Sequence, residues 1–216
     1  MLLAKHKQSP FRHAEFNIEE LKASDFKKAC IDAKHSAGGL DNFTPADFSL
    51  LSDRAFDWLV ELLNLVEQGA DWPKSLRQAR AAFLAKGPQQ LEKPLAYRVL
   101  LILPVLYSRW AATRLKDLEG WIAMWKLDQM YAGVPEVGAE EGWWATALEL
   151  ELAQLQGIQV SGNGTDIFKC YDQLIRQLIY HVADLAGLPK GILKAYANFQ
   201  EDLSIYNAIA GGLGIP

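Results

Sequence analysis

The sequence predicts an α+β fold in which helix predominates. Three observations carry that expectation. Apolar residues recur at three- and four-residue steps between Thr44 and Gly69. An apolar-rich run extends from Trp143 to Gln156. Short strand-like stretches stand at Ala81–Lys86, Ile158–Ile167 and Leu203–Ile209.

The first helix has a clear start. Thr44 fits the N-cap, Pro45 the first helical position, and Asp47 lies where a carboxylate meets free backbone N–H groups. Phe48, Leu51, Ala55, Phe56, Leu59, Leu62, Leu63 and Val66 follow as one apolar face, and Gly69 stops it. Beyond Asp71-Trp72-Pro73, the stretch Ala81–Lys86 reads as a strand entering the Gly87-Pro88 turn, and Leu91–Tyr97 as loop. Val99–Leu118 reads as a buried helix, or as one starting near Pro104 if Val99–Leu103 is extended. Gly133, Pro135 and Gly138 mark a loop before the Trp143–Gln156 helix, which Gly157 stops. Ile158–Ile167 is strand-like despite Ser161-Gly162-Asn163-Gly164. Helices then follow from Asp172 to about Ala186 and from Pro189 to about Phe199. The strand Leu203–Ile209 and a glycine turn come after them. The apolar ending Ile215-Pro216 reads as an interrupted chain.

At 216 residues, 50% apolar and 11% aromatic, the chain suits one domain, or one with a small appendage. The two cysteines, Cys30 and Cys170, suggest reduced thiols of an intracellular protein, nuclear or cytoplasmic, rather than a disulfide framework. Too few apolar residues precede Lys5 for a signal peptide. The apolar run Val99–Tyr107 is broken by Pro104 and falls short of the roughly 20 residues a spanning helix needs. No membrane partner is expected.

Charge is segregated. Residues 74–116 hold nine bases (Lys74, Arg77, Arg80, Lys86, Lys93, Arg98, Arg109, Arg114, Lys116) against the single acid Glu92. Residues 117–151 hold eight acids against Lys126. The basic block is a candidate footprint for phosphates, unless the two blocks pair with each other. The four histidines lack paired metal-ligand spacing, and neither a P-loop nor a serine nucleophile elbow is present. Seven tryptophans, Trp143-Trp144 among them, read as packing residues.

One stretch carries chemistry: Asp166-Ile-Phe-Lys-Cys-Tyr-Asp172. Asp172, ahead of an apolar-periodic helix, has a sufficient structural role as its cap. Asp166 has no such evident role, and a carboxylate at a strand's end is where α/β proteins often place catalytic or metal-binding groups, so a functional and a structural reading both stand open at this residue.

The spacing of that stretch resembles the first carboxylate motif of reverse transcriptases, nearest to the non-LTR retrotransposon and group II intron type. Other landmarks fall in the family's order over roughly residues 30–216. Residues 37–43, Ala-Gly-Gly-Leu-Asp-Asn-Phe, are similar to a segment near the start of the fingers, with Asn42 where glycine is usual. Trp72-Pro73, Leu84-Ala85-Lys86 and Tyr97-Arg98 resemble the approach to the fingers strands and the strands themselves; Val99 stands where proline is expected. Leu101–Leu115 resembles the helix that follows. Gln129–Gly138 fits the next glycine segment loosely, and Gly187-Leu188-Pro189 resembles the palm stretch leading to the next motif.

The resemblance implies right-hand polymerase fingers and the first β-α-α-β part of the palm, truncated. It implies an N-terminal extension over residues 1–29, fingers over 30–157 and partial palm over 158–216. It implies that Asp166 binds Mg²⁺ with the Ile167 carbonyl as a further ligand, and that Lys86 and Arg98 grip the dNTP triphosphate. Tyr171 would pack under the incoming sugar. The expected partners are an RNA template, a DNA primer and dNTP. The family's Gln-Gly and paired-aspartate motifs do not occur in these residues, so the chain alone is not expected to polymerise. Two other classes stay open: a catalytically dead nucleic-acid-binding remnant, and a helical protein-interaction domain. Tyr171 as a core side chain and Arg98 as an ion-pair partner are the ordinary alternatives at those positions.

Overall fold

The computed structural model describes residues 12–87, 93, 96–167, 170–209 and 212–215, with backbone only at Tyr171 and Asp172. The fold is α+β with helix predominating and one four-stranded mixed sheet. The described residues form two compact units. One comprises residues 17–117 with 189–216, the other residues 1–16 with 118–188.

The larger unit opens with α1 (Ala23–Asp32), which buries Phe26, Ala29 and Cys30 on one face. No helix is foreseen there from sequence. Next come α2 (Pro45–Ser49) and α3 (Asp53–Glu67). At α2, Thr44 and Asp47 form a reciprocal capping box with Pro45 at the first turn, as expected. The single helix expected from Thr44 to Gly69 is instead two. Ser52 adopts extended backbone and its hydroxyl accepts the Ala55 N–H at 3.3 Å, so a second N-cap interrupts the apolar repeat. Gly69 ends α3 at φ 114°, a left-handed conformation that glycine adopts freely.

A 3₁₀ turn (Lys74–Leu76) leads to β1 (Gln78–Ala85), and β2 (Tyr97–Ile102) returns antiparallel, pairing Arg80 with Ile102 through Ala85 with Tyr97. Of the two readings of Val99–Leu118, the extended start followed by a helix is the one formed: α4 runs Val105–Asp117, just past Pro104. After α8 (Lys190–Glu201), β3 (Ser204–Ile209) joins β1 in parallel, and β4 (Gly212–Leu213) pairs back on β3. The strand order is β2-β1-β3-β4. Arg77 fixes this joint: its carbonyl accepts the Ser204 N–H at 3.0 Å, and its guanidinium pairs with Asp202.

Trp72 sits at the centre of this unit's core. Its ring meets Tyr107, Trp110 and Phe199 edge-on, with centroids 5.3–5.5 Å away, and its Nε1–H donates to the Ala195 carbonyl at 2.8 Å. Beside it the buried Arg114 forks onto Glu67, with Nε–Oε1 at 2.7 Å and Nη2–Oε2 at 2.6 Å. Arg114 also reaches Asp117 at 2.8 Å and the Glu19 carbonyl at 3.0 Å, and Trp110 Nε1–H donates to the same Glu67 at 2.7 Å. Burial pushes the Cys30 thiol up to about 11, partly offset by the positive charge of Arg109.

The smaller unit holds α5 (Glu119–Trp125), α6 (Ala139–Leu155), a 3₁₀ turn (Cys170–Gln173) and α7 (Arg176–Leu185). Trp121 stacks edge-on with Trp125 at 5.3 Å and donates to the Ala186 carbonyl at 2.7 Å. Gly187 closes α7 at φ 78°, where a Cβ would lie 2.3 Å from the Ala14 carbonyl oxygen. Trp143 and Trp144, expected as packing residues, are instead 64% and 58% exposed on α6.

Two expectations fail in this unit. Ile158–Ile167 forms neither strand nor helix, and every residue from Gln154 to Ile167 is exposed. The alternation of Ile158 and Val160 looks like a strand, but no neighbouring strand takes up the backbone groups, and Gly162 and Gly164 offer no side chain to pack. The described part of the expected β-α-α-β stretch is therefore α7, α8 and β3. Likewise, Asp172 is not the cap of the following helix: α7 starts at Arg176, with Ile175 in the N-cap position. No helix among the described residues is long and apolar enough to cross a membrane.

Candidate functional site

The hairpin of β1 and β2 brings together two of the residues singled out from sequence. Side chains alternate along a strand, so Arg80, Ala82, Leu84 and Lys86 share one face. Arg98 lies directly opposite Leu84, and the Lys86 N–H continues the ladder to the Ala96 carbonyl at 2.8 Å. Lys86 and Arg98 are therefore diagonal neighbours on one face, roughly 7–8 Å apart as cross-strand diagonals run. Both are exposed, and among the described residues neither side chain has a hydrogen-bond or ion-pair partner.

Arg80 continues that face inward, opposite Ile102 on β2 and Tyr206 on β3. Its Nε is buried with no hydrogen-bond partner among the described residues. The sequence marks Arg80 only as one base of the basic block; its even, six-residue separation from Lys86 is the signal that places both on one strand face. Three cations thus line one sheet face. Exposed Leu84 and Leu100 lie between them, and apolar surface beside a cation reduces its hydration.

Of the described ion pairs, Arg114–Asp117 links the basic block to the acidic one, whereas Arg77 pairs with Asp202. Arg114, counted in the block as a potential phosphate contact, is buried and committed to Glu67.

Asp166 and Ile167 belong to the smaller unit, in the open stretch after α6. The Asp166 side chain is exposed and Ile167 is 60% exposed. Phe168 and Lys169 lie outside the described residues, as do the side chains of Tyr171 and Asp172; the Tyr171 backbone lies in the 3₁₀ turn. An aspartate is a hard oxygen donor of the kind Mg²⁺ takes. Among the described residues no group of three or more His, Cys, Asp or Glu is gathered to hold a metal ion. One carboxylate does not make a two-metal site, and no catalytic step is assigned to these residues.

No protein-family model matches the chain, and no curated protein matches it.

Proposed function

We propose that the chain is the fingers region and opening palm stretch of a reverse transcriptase-like polymerase. In this reading, the hairpin face carrying Lys86 and Arg98 binds the phosphates of dNTP and of an RNA template with its DNA primer. Asp166 supplies one Mg²⁺-binding carboxylate, with the Ile167 carbonyl beside it and Tyr171 under the sugar. The family's Gln-Gly and paired-aspartate motifs do not occur in these 216 residues, and two-metal nucleotidyl transfer needs more than one carboxylate.

The observation that carries this reading is that Lys86 and Arg98 stand exposed on one sheet face with no side-chain partner among the described residues. A polyanion needs several charge-assisted contacts, and two unpaired cations at diagonal strand positions supply them. A second support comes from Asn42, which stands where the family usually has glycine. Its φ is 60°, in the left-handed region that glycine takes freely and asparagine tolerates better than other residues.

A titration of the chain with a fluorescent dNTP tests the proposal. Lys86→Ala and Arg98→Ala are each expected to weaken binding at least about tenfold, the loss of one charge-assisted hydrogen bond. Equal affinity in the parent and both variants would remove the proposal's support. The same titration separates the other classes. A catalytically dead remnant binds nucleic acid but shows no preference for the triphosphate. A protein-interaction domain binds neither; the exposed Trp143, Trp144, Leu148 and Leu155 of α6 are the observation that favours it.

A further inference from the structure

A second basic site lies away from the hairpin face. A partly open cavity of ≈ 190 Å³ is framed by the loop at Ser36-Ala37, Pro45 at the head of α2, the end of β2 and the start of α4. Its lining includes Leu101, Ile102 and Val105, with polar and apolar surface in about equal share, and Arg109 is the one charged residue among the described lining residues. The Arg109 Nε is buried and, among the described residues, has no hydrogen-bond partner. The two hydroxyls of the lining, Ser36 and Ser108, have no partner among the described residues either.

A buried donor without an acceptor is costly, and native structures rarely leave one without a reason. Arg109, Ser36 and Ser108 line this cavity, and no carboxylate is among its described lining residues. The electrostatics run the same way. No acidic side chain is among the described residues that line the cavity beside Arg109. A planar guanidinium fork matches an oxyanion in two places at once.

We propose that Arg109, Ser36 and Ser108 form a binding site for one phosphate-type oxyanion. Phosphate fits better than a carboxylate, because its tetrahedral oxygens can meet the guanidinium fork and the two hydroxyls from different directions, whereas a carboxylate's acceptor sites lie in one plane. The site is independent of the hairpin reading, because Lys86 and Arg98 do not line the cavity.

Isothermal titration of inorganic phosphate into the 216-residue chain, against chloride at equal ionic strength, tests the site. The expected result is saturable one-to-one binding. Arg109→Lys, which keeps the charge but loses the fork, weakens it roughly tenfold or more. A parallel arm uses a 5′-phosphorylated trinucleotide. If that competes with phosphate and is likewise weakened in Arg109→Lys, the site accepts a phosphate carried on a nucleotide chain. If inorganic phosphate alone binds, the site takes the free ion, and either result supports it. Should Arg109→Lys fail to fold, the Ser36→Ala/Ser108→Ala double variant decides, with a several-fold weakening expected. Heats equal to those of chloride, or full affinity in the folded variants, overturn the proposal.

Discussion

Replacing Glu67 with alanine is expected to lower the stability of the larger unit by about 3–5 kcal/mol, the usual cost of removing one partner of a buried ion pair. Glu67 is the shared acceptor for two residues of α4. It takes both arms of the Arg114 fork at 2.6 and 2.7 Å, and the Trp110 Nε1–H at 2.7 Å. Arg114 is almost fully buried, with 3% of its side chain accessible, so solvent cannot replace the carboxylate. Asp117 and the Glu19 carbonyl remain as partial compensation, both on Nη1. Glu67→Gln should cost less, because the amide oxygen can still accept one of these donors while the charge is lost. Urea unfolding followed by tryptophan fluorescence checks this order. Equal midpoints for the parent and Glu67→Ala would mean that the network does not hold α3 to α4.

The second large effect is expected at Trp72. Trp72→Ala should cost about 3–5 kcal/mol from cavity formation alone. The side chain is 2% exposed and three aromatic rings rest on it, so the space it leaves cannot collapse easily. Loss of its indole donor also leaves the Ala195 carbonyl of α8 without that partner. Trp72→Phe retains most of the ring packing and loses the hydrogen bond, so it should fall between the parent and alanine. The readout is the same urea midpoint; a Trp72→Ala midpoint within error of the parent would contradict a core built around this ring.

Local signals were the legible part of the fold. The Thr44 capping box, Gly69, Gly157 and Gly187 each act within a few residues, and each is found where the sequence places it. The Ser52 break was also written locally, but the uninterrupted apolar repeat masked it. Ile158–Ile167 shows the opposite failure. Its pattern suits a strand, yet a strand exists only through pairing with a neighbour, which no local pattern specifies. The four-stranded order depends on such pairings, since β1 and β3 meet across more than a hundred residues of chain.

The candidate site divides in the same way. Lys86 and Arg98 could be named from sequence, and the hairpin register then places them on one face. The basic block as a whole overstated the accessible charge. Arg114 is drawn inward by Glu67, 47 positions away, and Arg77 is held by Asp202, 125 positions away. Arg109 was counted merely as one base among nine. Its cavity arises only when the Ser36 loop, α2, β2 and α4 come together.

The salt dependence of primer–template binding tests the central claim most directly. Binding of a labelled RNA template annealed to a DNA primer, measured by filter retention across a salt series, should weaken steeply as salt rises, because the bases displace condensed counterions. Lys86→Ala and Arg98→Ala should each reduce the slope of log K against log salt by about 1. Binding that ignores salt, or a steep slope that both variants leave intact, would contradict the assignment of phosphate contact to this hairpin face.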